Sequence, residues 1–290
     1  MKEYSLLIVL FLLSNCSDNS KKQNILVEKS FRPNKEYNNE STHKIRYDEI
    51  LQPIIQLRDS SFAMIMNARD KTDADNIFVT FMKKYRHAIQ TNRHRWLIGT
   101  YSRTELDSLH ELINKSGLTI REDCEHGEYF DINTGYLIKK IAKYLSEQIN
   151  DYYLIVDEEE FETLHCEGSL SITFSRLAYR IARWEIFLTT NPNIILKEDI
   201  ESTLSNYIYF LIIPHENYFY FDNEKDGGQI NKNLLLCLKE YVRLYPQTKF
   251  ANYLRGLLLE LKNSNYKYSE NIKKYIQKWS EITGYKDFNA

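Results

Sequence analysis

Apolar residues recur three and four residues apart through most of the chain after residue 46, which is the spacing of one face of an amphipathic helix. Polar residues at the starts and glycines at the ends favour discrete helices, with Gly117 and Gly284 as expected left-handed caps. The pattern predicts helices over about 46–68, 72–89, 104–116, 135–150, 151–161, 171–188 and 269–282, with Ser171 capping the sixth.

Two stretches interrupt this helical pattern. Residues 118–132 have two short apolar–polar alternations around Gly127, which predict a β-hairpin. Residues 215–233 are rich in Tyr, Asp, Asn and Gly, which predicts an exposed loop or a short hairpin turning at Gly227-Gly228.

The second half contains a probable duplication. When Arg183–Tyr207 is placed over Cys237–Leu261, at an offset of 54 residues, most apolar positions coincide and Pro192 meets Pro246. Because proline terminates helices, this predicts two copies of a helix–turn–helix unit within residues 183–262.

Composition agrees with a helical fold. Gly and Pro together supply only 14 of 290 residues, whereas 43% of residues are hydrophobic. The shortage disfavours all-β folds that need many tight turns. We therefore expect a mainly α fold over residues 43–290, a single domain of stacked antiparallel helical hairpins with one or two short β-hairpins. A net charge of −2 gives no reason to expect a nucleic-acid partner.

The N-terminus has the pattern of an export signal. An apolar run, Leu6–Leu13, is too short to span a bilayer and fits a signal-peptide core. Leu13-Ser-Asn-Cys16 resembles the lipobox of bacterial lipoproteins, which implies a signal peptide over 1–15 and a lipid on Cys16. An ordinary secretory signal and a buried helix are the alternatives. Residues 16–42 are mostly polar, which predicts a flexible tether.

A second resemblance concerns architecture. Tyr245-Pro-Gln-Thr-Lys-Phe-Ala251 with the following leucines resembles the tetratricopeptide-like hairpins of outer-membrane lipoproteins. The whole chain resembles helical bacterial outer-membrane lipoproteins. The resemblance implies an outer-membrane location facing the periplasm or the cell surface, attachment through Cys16, and no catalytic residues.

The cysteines beyond Cys16 allow one disulfide. Cys124 and Cys166 lie in loop-like sequence, so they are the expected pair, although three unpaired cysteines fit equally well. A zinc site made of Cys124, His126, His165 and Cys166 has unfavourable spacing. Asp222, Glu224 and Asp226 weakly resemble the start of a calcium loop, and a plain polar hairpin explains them better. We expect no metal and no cofactor.

Two charged segments are candidates for interaction. Basic residues concentrate between Met82 and Trp96. They either bind anionic lipid, a polyanion or an acidic protein surface, or they complement the acidic residues of 157–162 inside the molecule, which is slightly favoured. The acidic run Asp157–Glu160 with Glu162 predicts a solvated face, because consecutive carboxylates on a helix diverge and do not form a catalytic pair. The basic interaction patch comprises Lys83, Lys84, Arg86, Arg93 and Arg95.

Known catalytic motifs are missing from the sequence, including nucleophile elbows, zinc-protease motifs and phosphate-binding glycine loops. We therefore expect a non-catalytic protein-binding role with an unknown protein partner, in one form an immunity-type lipoprotein that neutralises a toxin. The alternative is an envelope hydrolase whose site is assembled from loops 123–131, 165–167 and 222–226.

Overall fold

The computed structural model describes residues 47–92, 103–123, 127–166, 169–213, 220–221 and 228–285. The predicted signal peptide, Cys16 and the tether lie outside these residues. Lys44–Ala290 forms one compact unit. The expected fold class is confirmed, because the described residues are mainly helical with short antiparallel strand pairs.

Most of the elements follow one another in the order that the hydrophobic pattern predicts, although that pattern does not predict the short strand pair at 165–170. Eleven α-helices and four strands lie in the described residues: α1 Tyr47–Met66, α2 Lys71–Asn92, α3 Arg103–Ser116, β1 Leu118–Asp123, β2 Gly127–Ile132, α4 Thr134–Ile141, α5 Glu147–Glu160, β3 His165–Cys166, β4 Ser169–Leu170, α6 Phe174–Thr190, α7 Lys197–Ile212, α8 Lys232–Leu244, α9 Lys249–Asn263, α10 Glu270–Ile276 and α11 Trp279–Thr283.

The first half places a β-hairpin beside the α1–α2 pair. Helix α3 ends at Ser116, and Gly117 has a φ of +83°, the left-handed conformation that favours glycine. The buried Tyr85 hydroxyl of α2 donates to the Ser116 carbonyl, which ties this helix end to the core. Strands β1 and β2 then pair in antiparallel register from Leu118 opposite Ile132 to Asp123 opposite Gly127. The predicted hairpin is confirmed.

The predicted helix over 135–150 is wrong in its boundaries. The chain leaves α4 at Ile141, passes through a 3₁₀ turn, and starts α5 at Glu147 rather than 151. Ser146 caps α5 by accepting from the Ile149 N–H, and its own N–H donates to Asp75 Oδ1 at 2.9 Å. Asp75 belongs to α2 and is buried, so a tertiary contact decides where the helix breaks.

The second half consists of two consecutive helical hairpins, α6–α7 and α8–α9, with α6 packed against α8. Their joints have the same local geometry at the predicted offset of 54 residues. Asn191 and Tyr245 adopt nearly equal backbone angles (φ −126°, ψ 59° and φ −124°, ψ 51°). Each carbonyl accepts from the N–H three residues later, at 3.2 Å in both joints.

Two local expectations need correction. Thr173 rather than Ser171 caps α6, because its side chain accepts from the Arg176 N–H. The predicted helix over 269–282 is divided into α10 and α11. For residues 215–233 the hairpin alternative is supported, since Phe221 forms an antiparallel β-bridge with Ile230, and Tyr220 and Phe221 are buried.

Candidate functional site

The acidic run at the end of α5 is not a solvated face, so that prediction is wrong. The Glu159 side chain is buried and points between α6 and α7. Its Oε2 accepts from Trp184 Nε1 at 3.0 Å and from the Tyr207 hydroxyl at 2.8 Å. Burial raises the pKa of Glu159, and the two donors with the nearby charge of Arg180 act in the opposite direction.

Glu160 turns toward the β-hairpin instead. Its carboxylate accepts from the Thr134 hydroxyl at 3.1 Å and lies 3.3 Å from Arg121 Nη2. Arg121 also lies 2.9 Å from Asp131 on the paired strand. Burial, with the added repulsion of Asp131, raises the pKa of Glu160 to about 7.

Arg180 connects the end of α5 to α6. Its side chain is 2% exposed, and Nη2 donates to the Glu159 carbonyl, the Glu162 carbonyl and the Glu162 carboxylate, each at 3.1 Å. Burial alone would raise the pKa of Glu162, but Arg176 and Arg180 together hold it below its usual range. We call Arg121, Glu159, Glu160, Glu162 and Arg180 the α5 cluster.

The α5 cluster has no catalytic geometry. Glu159 and Glu160 point in different directions, as the sequence predicts for consecutive helical positions. Their hydrogen bonds go to groups of the same chain. The cluster therefore holds α5 against α6, α7 and the β-hairpin.

A second buried carboxylate, Glu185 of α6, escaped the sequence analysis altogether. It is 3% exposed, and its two oxygens accept from the Tyr241 hydroxyl at 2.7 Å, the Tyr285 hydroxyl at 3.0 Å and the Phe250 N–H at 3.1 Å. Burial raises its pKa, and these donors oppose the rise. Phe250 lies in the first turn of α9, where backbone N–H groups have no partner within the helix and the dipole favours an anion.

Glu185 thus fixes the start of α9 from another helix. We call Glu185, Tyr241, Phe250 and Tyr285 the α9 cluster. Only the offset alignment could have pointed to this site, because it places Tyr241 and Phe250 at the joint of the second hairpin, close to α6.

The predicted basic patch is partly described. Lys83, Lys84 and Arg86 are exposed on α2, whereas Arg93 and Arg95 lie outside the described residues. Lys83 Nζ lies 3.9 Å from Asp199 of α7. The charge of Arg86 acts to lower the pKa of Glu160, which places it within electrostatic range of the acidic run. Lys83 and Arg86 therefore interact with acidic residues of the same chain.

The cysteine and metal predictions fall largely outside the described residues. Cys166 is disulfide-bonded, and Cys237 is a buried free cysteine. Cys124 lies outside those residues, so its pairing with Cys166 stays a prediction. A disulfide sulfur is not a thiolate ligand, which argues against the zinc alternative.

Metal ligands do not converge in the part of the chain that the structure describes, where no group of three His, Cys, Asp or Glu side chains could hold an ion. Asp222, Glu224 and Asp226, the weak calcium candidates, lie outside it.

Two shallow depressions lie on the described surface. One, of ≈ 460 Å³, is lined by Glu162, Thr163, Ser171, Ile172, Thr173 and Arg176. The other, of ≈ 610 Å³, surrounds Tyr266 and the start of α8. Neither is lined by a described residue of 123–131, 165–167 or 222–226, the loops of the hydrolase alternative.

Phe161 directly precedes Glu162, one of the residues that line the first depression. Its ring is 77% exposed, although the residue follows directly after α5 and its ion pairs. The guanidinium carbon of Arg121 lies 5.8 Å from the ring centroid. The Phe161 ring is therefore accessible to solvent and free to contact another protein.

Comparisons with known proteins add no family. No protein-family model, no curated protein and no solved structure matches the chain. Within the described residues, none of the helices combines the length and the apolar character needed to cross a membrane.

Proposed function

We propose that the chain is a lipid-anchored envelope protein that binds another protein and does not catalyse a reaction. The observation that carries this proposal is Phe161, whose ring is 77% exposed at the end of α5. Aromatic and arginine side chains dominate the energetics of protein interfaces. Phe161, Arg121 and the Glu162–Arg176 depression together form the proposed binding surface.

The α5 cluster supports this role by keeping the surface rigid. Arg121 ties the end of α5 to β1 and β2, and Arg180 ties it to α6. A side chain presented on a fixed backbone loses less conformational entropy on binding. The carboxylates of the acidic run, Glu159 and Glu160 among them, act as internal supports for the binding surface.

The proposed membrane location is inferred from the sequence. Leu13-Ser-Asn-Cys16 supports lipid attachment at Cys16, and residues 16–42 would let the helical domain reach away from the outer membrane. The domain would face the periplasm or the cell surface. An immunity-type lipoprotein that neutralises an incoming toxin is the most specific form of this proposal.

Photo-crosslinking tests the binding surface. A photoreactive residue at position 161, introduced in the native envelope, should yield one crosslinked partner, which is then purified and titrated against the chain. Phe161→Ala should weaken that binding about tenfold or more while the melting temperature stays unchanged.

The matched control is Ile282 of α11, which is 43% exposed and distant in sequence. A photoreactive residue at 282 should give no such product, and Ile282→Ala should bind normally. Equal effects at both positions, or binding that Phe161→Ala leaves intact, would contradict the proposed surface.

A competition experiment tests the immunity form. A strain lacking the chain should be killed by contact with its parent, and the intact gene should restore survival. Cys16→Ser should lose palmitate labelling and fail to protect. Survival of the deletion strain, or labelling that persists in the variant, would argue against toxin neutralisation or against the lipid anchor respectively.

A further inference from the structure

The outer face of α5 carries a regular row of acidic residues around one leucine. Glu147, Asp151, Leu154 and Glu158 follow one another at intervals of four, three and four residues, and all four are exposed. Positions three and four apart lie on the same face of a helix. We call these four residues the acidic stripe.

Helix α8 carries a row of basic residues around one leucine with the same spacing. Lys232, Leu236, Lys239 and Arg243 follow one another at intervals of four, three and four residues, and all four are exposed. Leu236 is 61% exposed and Leu154 is 48% exposed, so each row presents an apolar side chain to solvent among its charges. We call these four residues the basic stripe.

The two stripes complement each other in one orientation. In the antiparallel orientation the intervals coincide, and each acidic residue faces a basic residue while the two leucines face each other. The pairs are Glu147 with Arg243, Asp151 with Lys239, Leu154 with Leu236, and Glu158 with Lys232. In the parallel orientation each leucine faces a charged residue instead, which leaves those charges without a partner. Charge and apolar pattern therefore select the same antiparallel alignment.

Most of the stripe charges are available for an external partner, whereas Lys239 Nζ lies over the Tyr266 ring, 5.2 Å from its centroid. Neither Glu147, Asp151 nor Lys232 forms an ion pair among the residues that the structure describes. Burial and the adjacent Glu147 raise the pKa of Asp151, as expected for carboxylates without a cation. Glu158 pairs with Arg183 and Arg243 with Glu240, but such surface pairs contribute little and exchange readily.

We propose that two copies of this chain associate, with the acidic stripe of one copy docked antiparallel on the basic stripe of the other. A second copy is the occupant because both complementary surfaces belong to the same chain. The wider charge distribution agrees: residues 147–201 contain 12 acidic and 4 basic residues, whereas 232–285 contain 10 basic and 4 acidic residues. Phe161 takes no part, so this proposal does not depend on the proposed function.

Sedimentation of the purified full chain in detergent tests the association. The wild-type chain should associate with increasing concentration, and raising the salt concentration should weaken the association because exposed charge pairs are screened. Lys239→Glu with Arg243→Glu in one variant, and Glu147→Lys with Asp151→Lys in another, should each weaken self-association about tenfold or more.

Mixing gives the decisive result. In a mixture of the two variants every reversed stripe faces a complementary one, so the mixture should associate as strongly as the wild-type chain. Neither a general loss of folding nor a general change in net charge predicts this restoration.

Lys273→Glu with Lys274→Glu on α10 makes the same charge change at exposed positions outside the stripes, and should associate normally. Melting temperatures of all variants should match the wild type, because the substituted side chains are exposed. The proposal is overturned by a wild-type chain that stays monomeric at high concentration and low salt, by reversal variants that associate normally, or by a mixture that stays dissociated.

Discussion

The α5 cluster and the α9 cluster each stabilise a buried glutamate, but with different neighbouring groups. Each contains a buried glutamate whose pKa is raised by burial, Glu159 in one and Glu185 in the other. Glu159 accepts from Trp184 and Tyr207, and the buried guanidinium of Arg180, whose ion pair is with Glu162, adds a positive charge nearby. Around Glu185 the donors are two tyrosine hydroxyls and a backbone N–H, and within the described residues no Lys or Arg forms an ion pair with it.

The difference shows what each arrangement requires. A buried cation balances a buried carboxylate only while both remain, because either one alone is strongly penalised by desolvation. Hydroxyl and amide donors stabilise the carboxylate without adding a second charge, and the start of α9 adds a favourable dipole. The α5 cluster should therefore depend on charge in addition to hydrogen bonds, and the α9 cluster on hydrogen bonds.

Loss of the buried cation should have the largest effect. Arg180→Leu leaves Glu159 buried without its neighbouring positive charge and removes two bonds to backbone carbonyls. We expect the free energy of unfolding to fall by about 3–5 kcal/mol, measured by urea denaturation. Arg176→Leu, which removes a more exposed partner of Glu162, should lower it by about 1 kcal/mol or less. Equal losses would mean that burial of the cation is irrelevant.

Titration of Glu160 should make the stability of the α5 cluster depend on pH. Its pKa is raised to about 7 in the folded state, so the folded chain holds this proton more tightly than the unfolded chain. The free energy of unfolding should therefore fall as pH rises from about 4.5 to 7, by at most about 1.4 kcal/mol per pH unit from this group.

Glu160→Gln should remove that part of the slope, and Glu158→Gln, at an exposed position, should retain it. Denaturation series at several pH values would measure both. Parallel curves for the wild-type chain and Glu160→Gln would contradict the assignment.

Amide substitutions should separate the two clusters directly. In Glu185→Gln the amide oxygen can still accept from Phe250 N–H, and the Tyr241 hydroxyl can rotate to accept from the new NH₂. In Glu159→Gln the amide oxygen must stay with the Trp184 N–H, so the NH₂ group takes the place of Oε1, which has no hydrogen-bond partner among the described residues, and the negative charge near Arg180 is lost. We expect losses of about 1 kcal/mol for Glu185→Gln and about 2 kcal/mol for Glu159→Gln. The reverse order would show that Glu185 carries a charge the structure needs.

A cap substitution with a small expected effect tests whether Glu185 and Thr248 act on the same helix end. Thr248 caps α9 by accepting from the Ala251 N–H, close to the N–H that Glu185 binds. Thr248→Ala should lower the free energy of unfolding by about 1 kcal/mol. Combined with Glu185→Gln it should give a non-additive loss, because both groups serve one helix end. Thr173→Ala, at the start of α6, should combine additively with Glu185→Gln.

Features that depend on neighbouring residues followed well from the sequence. Gly117 adopts a positive φ after α3, and Pro192 and Pro246 lie in matching joints. The acidic run shows the limit of this reasoning, since the helical pattern correctly predicts that Glu159 and Glu160 diverge. The positions of Trp184 and Tyr207, which lie on other helices, decide that Glu159 points into the core.

The sequence by itself determined the helices, the β-hairpin and the helix ends at glycine and proline, because these follow from hydrophobic periodicity and backbone preferences over a few residues. Only the tertiary structure decided the break before α5 and the burial of two carboxylates. Glu185 and Phe250 are 65 positions apart, and Asp75 and Ser146 are 71 apart. A carboxylate is stabilised in the interior only by donors that the fold brings to it, and no local pattern contains those donors.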